Sequence, residues 1–406
     1  MADLASKLRS TTTIRERCGN ILAAADAGQS RHFTVQRCRL EAAAQLVEQV
    51  TRRQYPDLRI PYHSRWRHFE SGGVDRKGEL DSLLAGRDAA AQARARIDLT
   101  LVSVLLDAGA GPQWRYAEAA SGQTFTRSEG LGVASFRGFL QGLFSSDAND
   151  PLRVDAAALQ RLDAAMLAAM FQVGSDNPLV GLEGRATLLR RLGDTLAAQP
   201  AAFGAEGRPG GLVDLLTDNG QTTHLPAPRV LQALLDHLSP IWLTGSELEG
   251  VPLGDCWQHP AAGGSGTTAG WVPFHKLSQW LTYSLLEPFE WAGITLTDLD
   301  GMTGLPEYRN GGLLLDTQVL LPRDSNFAER QYTAANEAII EWRALTVALV
   351  DELAPLVRAR LGKTAAEMPL ACILEGGTWA AGREIARTLR EGGKPPLNIA
   401  SDGTVF

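Results

Sequence analysis

Apolar residues recur at spacings of three and four over long stretches of this chain, which are also rich in Ala, Leu, Glu and Arg. This period is typical of α-helices that bury one face. The clearest case is Val35–Gln54, which ends at the breaker pair Tyr55 and Pro56. The same pattern predicts further helices over Gly78–Leu106, Asp155–Phe171, Leu182–Ala198, Arg229–His237, Phe274–Leu286, Ala328–Leu361 and Trp379–Glu391.

Strand signals are few, and they lie in short segments flanked by Gly, Asp or Ser. The two candidates are "QTFTRS" (Gln123–Ser128) and the closing "NIASDGTVF" (Asn398–Phe406). The predicted fold is therefore mainly α, a single multi-helical domain over residues 1–406 with a few short β pieces and no internal boundary. Gly- and Pro-rich segments at 200–211 and 259–270 are predicted to be flexible surface loops, the second either a mobile lid or a plain linker.

Composition excludes several classes of protein. With 406 residues, 44% apolar and 21% charged, the chain is an ordinary globular one. A net charge of -7 argues against unspecific nucleic-acid binding. No apolar run approaches the roughly 20 residues of a membrane span, the N-terminus shows no signal-peptide core, and the four cysteines lie far apart. We expect a cytoplasmic protein with no nucleic-acid or membrane partner.

The helix predicted after Pro273 carries a polar and aromatic face. Lys276, Trp280, Tyr283 and Glu287 follow one another at steps of four, three and four, so they share one side. A second stripe is apolar and is the expected core contact: Phe274, Leu277, Leu281 and Leu285. The spacing fits a ligand-binding face, but spacing alone favours an exposed face on which Lys276 pairs with a nearby acid and the two aromatic residues cap the rim of the core.

A second polar block follows about thirty residues later in "GLPEYRNGGLLLD". Glu307, Tyr308, Arg309 and Asn310 precede a glycine pair that lets a ligand approach the backbone, and Asp316 closes the block. A carboxylate beside an arginine suits a sugar or phosphate ester, since arginine binds oxyanions with two hydrogen bonds. The alternative is a structural Glu307–Arg309 network that ties the loop to its neighbours.

Other groups of reactive side chains have weaker spacing. Asp255, Cys256 and His259 in "GDCWQH" are metal-ligand types, but no second cluster completes a tetrahedral site, and His63 or His68 would have to join through the fold. "LEGGTWAAGRE" places two glycines before a helix that a threonine would cap, which also describes a phosphate-binding turn. Packing and capping are favoured for both, and no metal or cofactor is expected.

Several motifs together resemble a uracil-catabolism family, that of the fourth Urc protein of the yeast and bacterial pathway. They are "YHSRWRHFESGG", "VSVLLDAGAG", "RSEGLGVAS", "NPLVGLEGR", "GDCW", "PFHKLSQWLTYSLLEP", "GLPEYRNGGLLLD" and "LEGGTWAAGREIA", and they cover almost the whole chain. The resemblance implies a role in a uracil-degrading route that passes through a ribosylated intermediate and yields urea.

A partial resemblance to the queuosine-salvage nucleotide N-glycosylases adds a chemical expectation. "FHKLSQWL" is similar to their "FxKRAQ" segment and "PEYR" to their "ADYR" segment, in the same order and at a similar separation. The resemblance implies that Lys276 and Glu307 belong to an active site, and it points to an architecture like that of the helical DNA glycosylases. Glutamate here replaces that family's aspartate, and Asn310 and Gly311 replace its proline and glutamine.

Chemistry gives these residues roles. Cleavage of an N-glycosidic bond builds positive charge on the sugar, which a carboxylate stabilises, and Glu307 is the candidate, with Asp316 in reserve. A proton or hydrogen bond from Lys276 or His275 would help urea to leave. Trp280 and Tyr283 are expected to form an aromatic wall of the substrate site, and Arg309 is expected to hold a 5-phosphate. Tyr308 and Asn310, which flank Arg309, are assigned to further substrate contacts.

The predicted function is a metal-free N-glycosidase that acts on a ribosylurea-type nucleotide or nucleoside. Two alternatives stay open at this point. A ureido-group amidohydrolase would more naturally need a metal or a cysteine nucleophile. A noncatalytic binding protein of the pathway would carry a large apolar patch and no closed pocket at Lys276 and Glu307.

Overall fold

The computed structural model describes residues 2–244 and 246–400. Helices dominate the described chain and strands are few and short, so the prediction of a mainly α fold is confirmed. Within this part of the chain no helix is both long and apolar enough to cross a membrane.

The chain folds into two compact units built from discontinuous segments. The first unit comprises the described residues of Met1–His63, Thr244–Gln279 and Asp298–Ala400. The second comprises Ser64–Leu243 and Trp280–Thr297 among the described residues. Each unit takes chain from both sides of the other in the sequence. The prediction of one domain without an internal boundary stays a prediction.

The first unit is organised around its longest helix, Glu337–Leu361, whose buried residues recur along most of its length. Thr11–Asp26 and Leu40–Gln54 pack against it. Trp342 is fully buried, and a side chain at Gly311 would collide with its ring, so the Asn310–Asp316 helix lies close to the long helix. The other helices of this unit are Ala2–Lys7, Leu370–Ile373, a π-helical turn at Leu374–Thr378, and Trp379–Leu389.

The second unit has a similar central element in Ala89–Leu105, which is buried along nearly all of its C-terminal two thirds. Asp88 caps it by accepting the N–H of Ala91 at 2.7 Å. The remaining α-helices of this unit are Arg65–Phe69, Arg76–Leu84, Arg127–Leu140, Ala156–Arg161, Ala164–Met170, Leu182–Ala197, Pro200–Phe203, Gly211–Thr217 and Ala227–Leu238.

The described strands form two-stranded ladders. Four are antiparallel: Phe33–Val35 with Leu320–Pro322, Arg115–Glu118 with Gln123–Thr126, Glu247–Leu248 with Val251–Pro252, and Cys256–Gln258 with Trp271–Pro273. Two are parallel: His224–Pro226 with Thr295–Thr297, and Gln331–Tyr332 with Asn398–Ile399. Both predicted strands are confirmed in part, and residues 401–406 of the second prediction lie outside the described residues.

The Lys276–Trp291 helix runs five residues beyond its predicted end and contains Pro288. Its apolar stripe is buried as expected, but Trp280 and Tyr283 on the other side are buried too. The interpretation of this side as an exposed face was therefore wrong for the two aromatic residues. Lys276 and Glu287 on the same side are partly buried.

Two predicted helices are each split into two shorter ones. The break in Gly78–Leu106 falls between Leu84 and Ala89, and the break in Asp155–Phe171 falls between Arg161 and Ala164. An aspartate begins the new helix each time, Asp88 in the first and Asp163 in the second, because its carboxylate accepts a first-turn amide. Helix continuity was overestimated where these caps went unrecognised.

Two helices of the first unit, predicted over Val35–Gln54 and Ala328–Leu361, begin later than predicted, at Leu40 and at Glu337. Residues before Leu40 form a short strand and a 3₁₀ turn, and residues before Glu337 include another short strand. The predictions for Leu182–Ala197, Ala227–Leu238 and Trp379–Leu389 hold to within about two residues, as is usual for helix ends.

The two glycine-rich segments contain local structure. The first includes the Pro200–Phe203 helix, and the second includes 3₁₀ turns at Pro260–Ala262 and Gly266–Thr268. His259 caps the first of these turns by accepting the N–H of Ala261 at 3.2 Å. That 259–270 acts as a mobile lid stays a prediction.

Candidate functional site

Glu307 lies in the turn before the Asn310–Asp316 helix. Its carboxylate accepts two backbone hydrogen bonds, from the N–H of Arg309 to Oε2 and from the N–H of Asn310 to Oε1, each 2.6 Å long. Its own carbonyl accepts the N–H of Gly311 at 2.9 Å. Glu307 thus caps the helical turn, where amides lack partners inside the helix. The carboxylate is held in one orientation by its own chain.

Burial and the neighbouring polar groups have opposite effects on the ionisation of Glu307. The side chain is buried, and burial raises the pKa of the Glu307 carboxyl above its usual value. The two amide hydrogen bonds and the charges of Lys276 and His63 act the other way and lower that pKa. Within the first unit, the charge of Lys276 therefore acts on Glu307, although 31 positions separate the two residues in the sequence.

Lys276 begins its helix at a position fixed by Asp255. The Asp255 carboxylate accepts the N–H of Lys276 at 3.0 Å, and its carbonyl accepts the N–H groups of Phe274 and His275 at 2.9 and 3.1 Å. Arg343 binds both carboxylate oxygens at 2.7 Å. The guanidinium is the first cause that lowers the Asp255 pKa, to about 2, against the opposing effect of burial. A buried ion pair thus anchors the start of the lysine helix.

His275 is buried, and its Nε2 lies 2.8 Å from the carbonyl oxygen of Leu8. Burial lowers the pKa of the His275 imidazole, which favours the neutral ring with its proton on the nitrogen that faces Leu8. The backbone φ of His275 is 46°, a conformation that non-glycine residues seldom adopt. This strained residue turns the chain into the Lys276 helix, and its predicted substrate contact stays a prediction.

The residues after Glu307 differ in accessibility. Tyr308 is exposed, whereas Arg309 and Asn310 are buried. The Arg309 guanidinium lies 4.8 Å from the centre of the Tyr308 ring and donates from Nη1 to the carbonyl of Gly393 at 3.1 Å. Asn310 donates from Nδ2 to the carbonyl of Leu305 at 3.1 Å, while its buried Oδ1 has no hydrogen-bond donor among the described residues. That oxygen is an unused acceptor next to Glu307.

Asp316, the reserve carboxylate, is committed to an ion pair. Arg390 binds its two oxygens at 2.8 and 2.5 Å, and the Asp316 side chain is almost completely buried. A bidentate arginine occupies the lone pairs that a water or a sugar would need. The two acidic residues of this block therefore have different environments.

A histidine–glutamate pair joins the site, and sequence reasoning did not assign it. His63 Nδ1 lies 2.7 Å from Oε2 of Glu375, with both side chains mostly buried. Glu375 lies on the π-helical turn Leu374–Thr378, and such turns occur frequently at functional sites. The signal in the sequence was the pair Gly376–Gly377, which follows Glu375 and lies too close to Ile60 and Val47 for any larger residue.

Trp280 and Tyr283 lie in the second unit, and both are buried. The Trp280 ring centre is 5.8 Å from that of His68, and the guanidinium of Arg65 is 5.7 Å from the Trp280 ring. Arg65 also pairs with Asp107 at 3.0 Å. The predicted substrate contacts of Trp280 and Tyr283 stay predictions.

The metal-ligand types in "GDCWQH" do not gather around a common point. Asp255 is bound by Arg343, burial raises the pKa of the Cys256 thiol, and His259 caps a turn. Across residues 2–244 and 246–400, no group of three or more His, Cys, Asp or Glu side chains is arranged to hold a metal ion.

The fold and this geometry define a mainly α-helical protein whose first unit contains several buried or mostly buried ionisable groups, among them Glu307, Asp255 and Arg343. Residues 7–406 match the family described as "Protein of unknown function (DUF1688)", and the chain belongs to that family.

Two relatives resemble the chain over nearly its full length. One is "Uracil catabolism protein 4" of Lachancea kluyveri, 40% identical over 415 residues that cover 93% of each chain. The other is "Protein urg3" of Schizosaccharomyces pombe, 40% identical over 409 residues that cover 99% of this chain and 98% of that protein. The family resemblance expected from the motifs is therefore confirmed.

Proposed function

We propose that this protein acts in uracil catabolism as a hydrolase that cleaves the N-glycosidic bond of a ribosylurea-type nucleotide or nucleoside, giving urea and ribose or its phosphate. The uracil-catabolism name of the Lachancea kluyveri relative supports the pathway. The observation that carries the reaction is the Glu307 carboxylate, buried, held by two amides at 2.6 Å, and within the field of Lys276.

Glu307 suits the charge that develops in this reaction. As the C1–N bond lengthens, positive charge appears on C1 and on the ring oxygen of the sugar. A carboxylate that is already oriented stabilises this charge without rearrangement, and a buried setting strengthens the interaction. The two amides that hold Glu307 leave each of its oxygens a second lone pair for the sugar or for the attacking water.

Lys276 has two tasks in this mechanism. Burial raises the pKa of Glu307, and the positive charge of Lys276 opposes that effect, which favours the ionised carboxylate. Its ammonium group is also the donor that we assign to the oxygen of the departing ureide. The Asp255–Arg343 pair makes both tasks possible, because it fixes the first residue of the lysine helix.

Asn310 is the neighbour best placed to assist Glu307. Its amide is oriented by the carbonyl of Leu305, and its buried Oδ1 is an acceptor without a donor in the described structure. Burial of such an acceptor is unfavourable unless a ligand or water binds it. We assign this oxygen to the attacking water or to a sugar hydroxyl.

The direct test is product analysis. Purified protein is incubated with ribosylurea 5-phosphate and with ribosylurea, and urea, ammonia and the pentose are quantified. Equal amounts of urea and pentose support the glycosidase. Ammonia without urea identifies a ureido-group amidohydrolase instead, and tight binding without turnover identifies a binding protein.

A further inference from the structure

The first unit contains a second titratable pair close to Glu307 that the mechanism above leaves unused. His63 and Glu375 are 312 positions apart in sequence and 2.7 Å apart in space. Their side chains are 12% and 17% exposed, so both are shielded but reachable by a ligand. Such a pair is neither an exposed surface ion pair nor a fully enclosed core contact.

Two contacts connect this pair to the Glu307 turn through the Trp379–Leu389 helix. The His63 ring centre lies 6.1 Å from that of Trp379, the first residue of the Trp379–Leu389 helix. Glu375 precedes that helix by one turn. On the same helix, a Cβ added to Gly382 would lie 2.1 Å from the carbonyl oxygen of Arg309, so the helix backbone touches the Glu307–Asn310 turn directly. The field of His63 also reaches Glu307.

Glu375 sets the orientation of the His63 ring. Its carboxylate oxygen, 2.7 Å from Nδ1, accepts the proton of that nitrogen and so fixes the direction in which the opposite nitrogen, Nε2, points. The backbone N–H of His63 is bonded to the carbonyl of Ala371 at 3.0 Å, so the segment that carries the ring is fixed as well. The geometry is that of a general acid with a supporting carboxylate.

We propose that His63, held by Glu375, is the general acid that protonates the leaving ureide nitrogen, with Glu375 as its positioning residue. This inference rests on the proposed glycosidase function. It replaces His275, whose ring faces the Leu8 carbonyl, as the histidine of the reaction.

The proton and electron balance is complete with one water molecule. The C1–N bond breaks, its electron pair goes to the ureide nitrogen, and that nitrogen takes the Nε2 proton of His63 to give neutral urea. The water oxygen bonds to C1 and releases its proton to Glu307. Proton exchange with solvent returns Glu307 to the carboxylate and His63 to the imidazolium.

A pair of substrates with different leaving groups tests the assignment. Ribosylurea 5-phosphate needs a proton on its leaving nitrogen, whereas 4-nitrophenyl riboside 5-phosphate of the same anomeric configuration releases a stable phenolate. For His63→Gln we expect turnover of the ureide to fall by about 10² to 10⁴-fold, while turnover of the nitrophenyl riboside stays within about fivefold of the wild type. Glu307→Gln should impair both.

The matched control is His32→Gln, since His32 also lies in the first unit beside a glutamate, with its Nε2 3.7 Å from Oε1 of Glu337. It should leave both substrates unaffected. Glu375→Gln should reproduce the leaving-group selectivity of the His63 variant, and Glu375→Asp should restore part of the ureide turnover. Melting temperatures show whether each variant is folded, and an unfolded His63→Gln is replaced by Glu375→Gln in the comparison.

The outcomes are distinct. Selective loss on the ureide supports His63 as the acid. Equal loss on both substrates, or full ureide turnover without His63, overturns that role while the glycosidase stands. If wild-type protein cleaves neither riboside, the proposed function falls and the role of His63 falls with it.

Discussion

At the scale of single residues, the proposed chemistry depends on the ionisation of Glu307. Burial raises its pKa, and two amides, Lys276 and His63 oppose that effect. Asp316, nine positions later, is instead paired with Arg390. The sequence identified both carboxylates as candidates, but the arginine that occupies one of them is 74 positions away and could not be read from local spacing.

Exchange of Glu307 and of Asp316 for their amides should give opposite results. For Glu307→Gln we expect kcat/KM on ribosylurea 5-phosphate to fall by about 10² to 10³-fold, because the charge opposite the developing cation is lost. The free energy of unfolding of this variant should change little, because the removal of a buried charge compensates for one weakened hydrogen bond from a backbone amide. Steady-state kinetics and thermal unfolding measure the two effects.

Asp316→Asn is the matched control for that variant. It leaves Arg390 with a neutral partner, so we expect a destabilisation of about 1–3 kcal/mol with nearly unchanged kcat/KM. If Asp316→Asn abolished turnover while Glu307→Gln did not, the carboxylate of the site would be Asp316.

Removal of Lys276 should change the pH dependence. Without its positive charge, the Glu307 pKa rises further above its usual value, so a higher pH is needed to ionise the carboxylate. In Lys276→Met, the rising limb of the kcat/KM profile should therefore move to higher pH. The control Lys363→Met removes a lysine of the same unit that pairs with Glu367 at 3.8 Å, and it should leave the profile in place. If the rising limb did not move in Lys276→Met, the charge of Lys276 would have no effect on the ionisation of Glu307.

At the scale of elements, the start of the lysine helix depends on one buried ion pair. Asp255 binds Arg343 and three consecutive N–H groups at residues 274 to 276. The short segment "GDCW" gave no hint of this, because its partner Arg343 lies 88 positions away. The sequence favoured packing over metal binding for this segment, but it could not name the partner.

Asp255→Asn should be strongly destabilising, by about 3–5 kcal/mol in urea unfolding, because the Arg343 charge stays buried without compensation. The control Asp324→Asn weakens an exposed pair with Arg330 and should cost less than about 1 kcal/mol. Similar losses in the two variants would show that the buried pair has no special importance for stability.

The same pair predicts a stability change in acid. The Asp255 pKa is lowered from 3.8 to about 2 in the folded protein, so the unfolded chain binds the proton first as pH falls. The stabilisation is fully present above pH 3.8 and is lost between there and about 2; it amounts to about 2 kcal/mol. Urea unfolding across this window should show the loss in the wild type and a weaker one in Asp255→Asn.

Close packing between the Trp379–Leu389 helix and the Glu307 turn is a second element-scale feature. A methyl group at Gly382 would meet the Arg309 carbonyl at 2.1 Å, so Gly382→Ala must push the turn away. We expect a loss of about 1–3 kcal/mol together with reduced turnover.

Gly19→Ala is the matched control, because Gly19 lies inside the Thr11–Asp26 helix with nothing within 4 Å of the added methyl. That change should stabilise the protein by about 0.4–1 kcal/mol in thermal unfolding. A harmless Gly382→Ala would mean that the turn tolerates displacement.

Element prediction succeeded where periodicity was long and uninterrupted, as in Leu182–Ala197. It failed at Asp88 and Asp163, where side-chain caps restart a helix, and it missed Thr11–Asp26. In that helix Ile14, Cys18 and Ile21 are buried at helical spacing, but charged and small residues between them dilute the apolar signal.

At the scale of the whole molecule, periodicity was sufficient to predict a mainly α protein, and the resemblance of its motifs was sufficient to predict its family. They could not predict the two compact units, because each is assembled from separated segments. The same limit applies to the site: Lys276 and Glu307 were connected by motif resemblance, whereas the His63–Glu375 pair is created by a contact across 312 positions.

Hydrolysis of ribosylurea 5-phosphate in ¹⁸O-labelled water is the most direct measurement of the proposed reaction. If the N-glycosidic bond is cleaved, urea is released without label, and the ¹⁸O appears on C1 of the pentose, trapped by immediate reduction. Both products should disappear together in Glu307→Gln. Label in carbon dioxide or carbamate, with ammonia in place of urea, would show that the ureido group is attacked and that the glycosidase assignment is wrong.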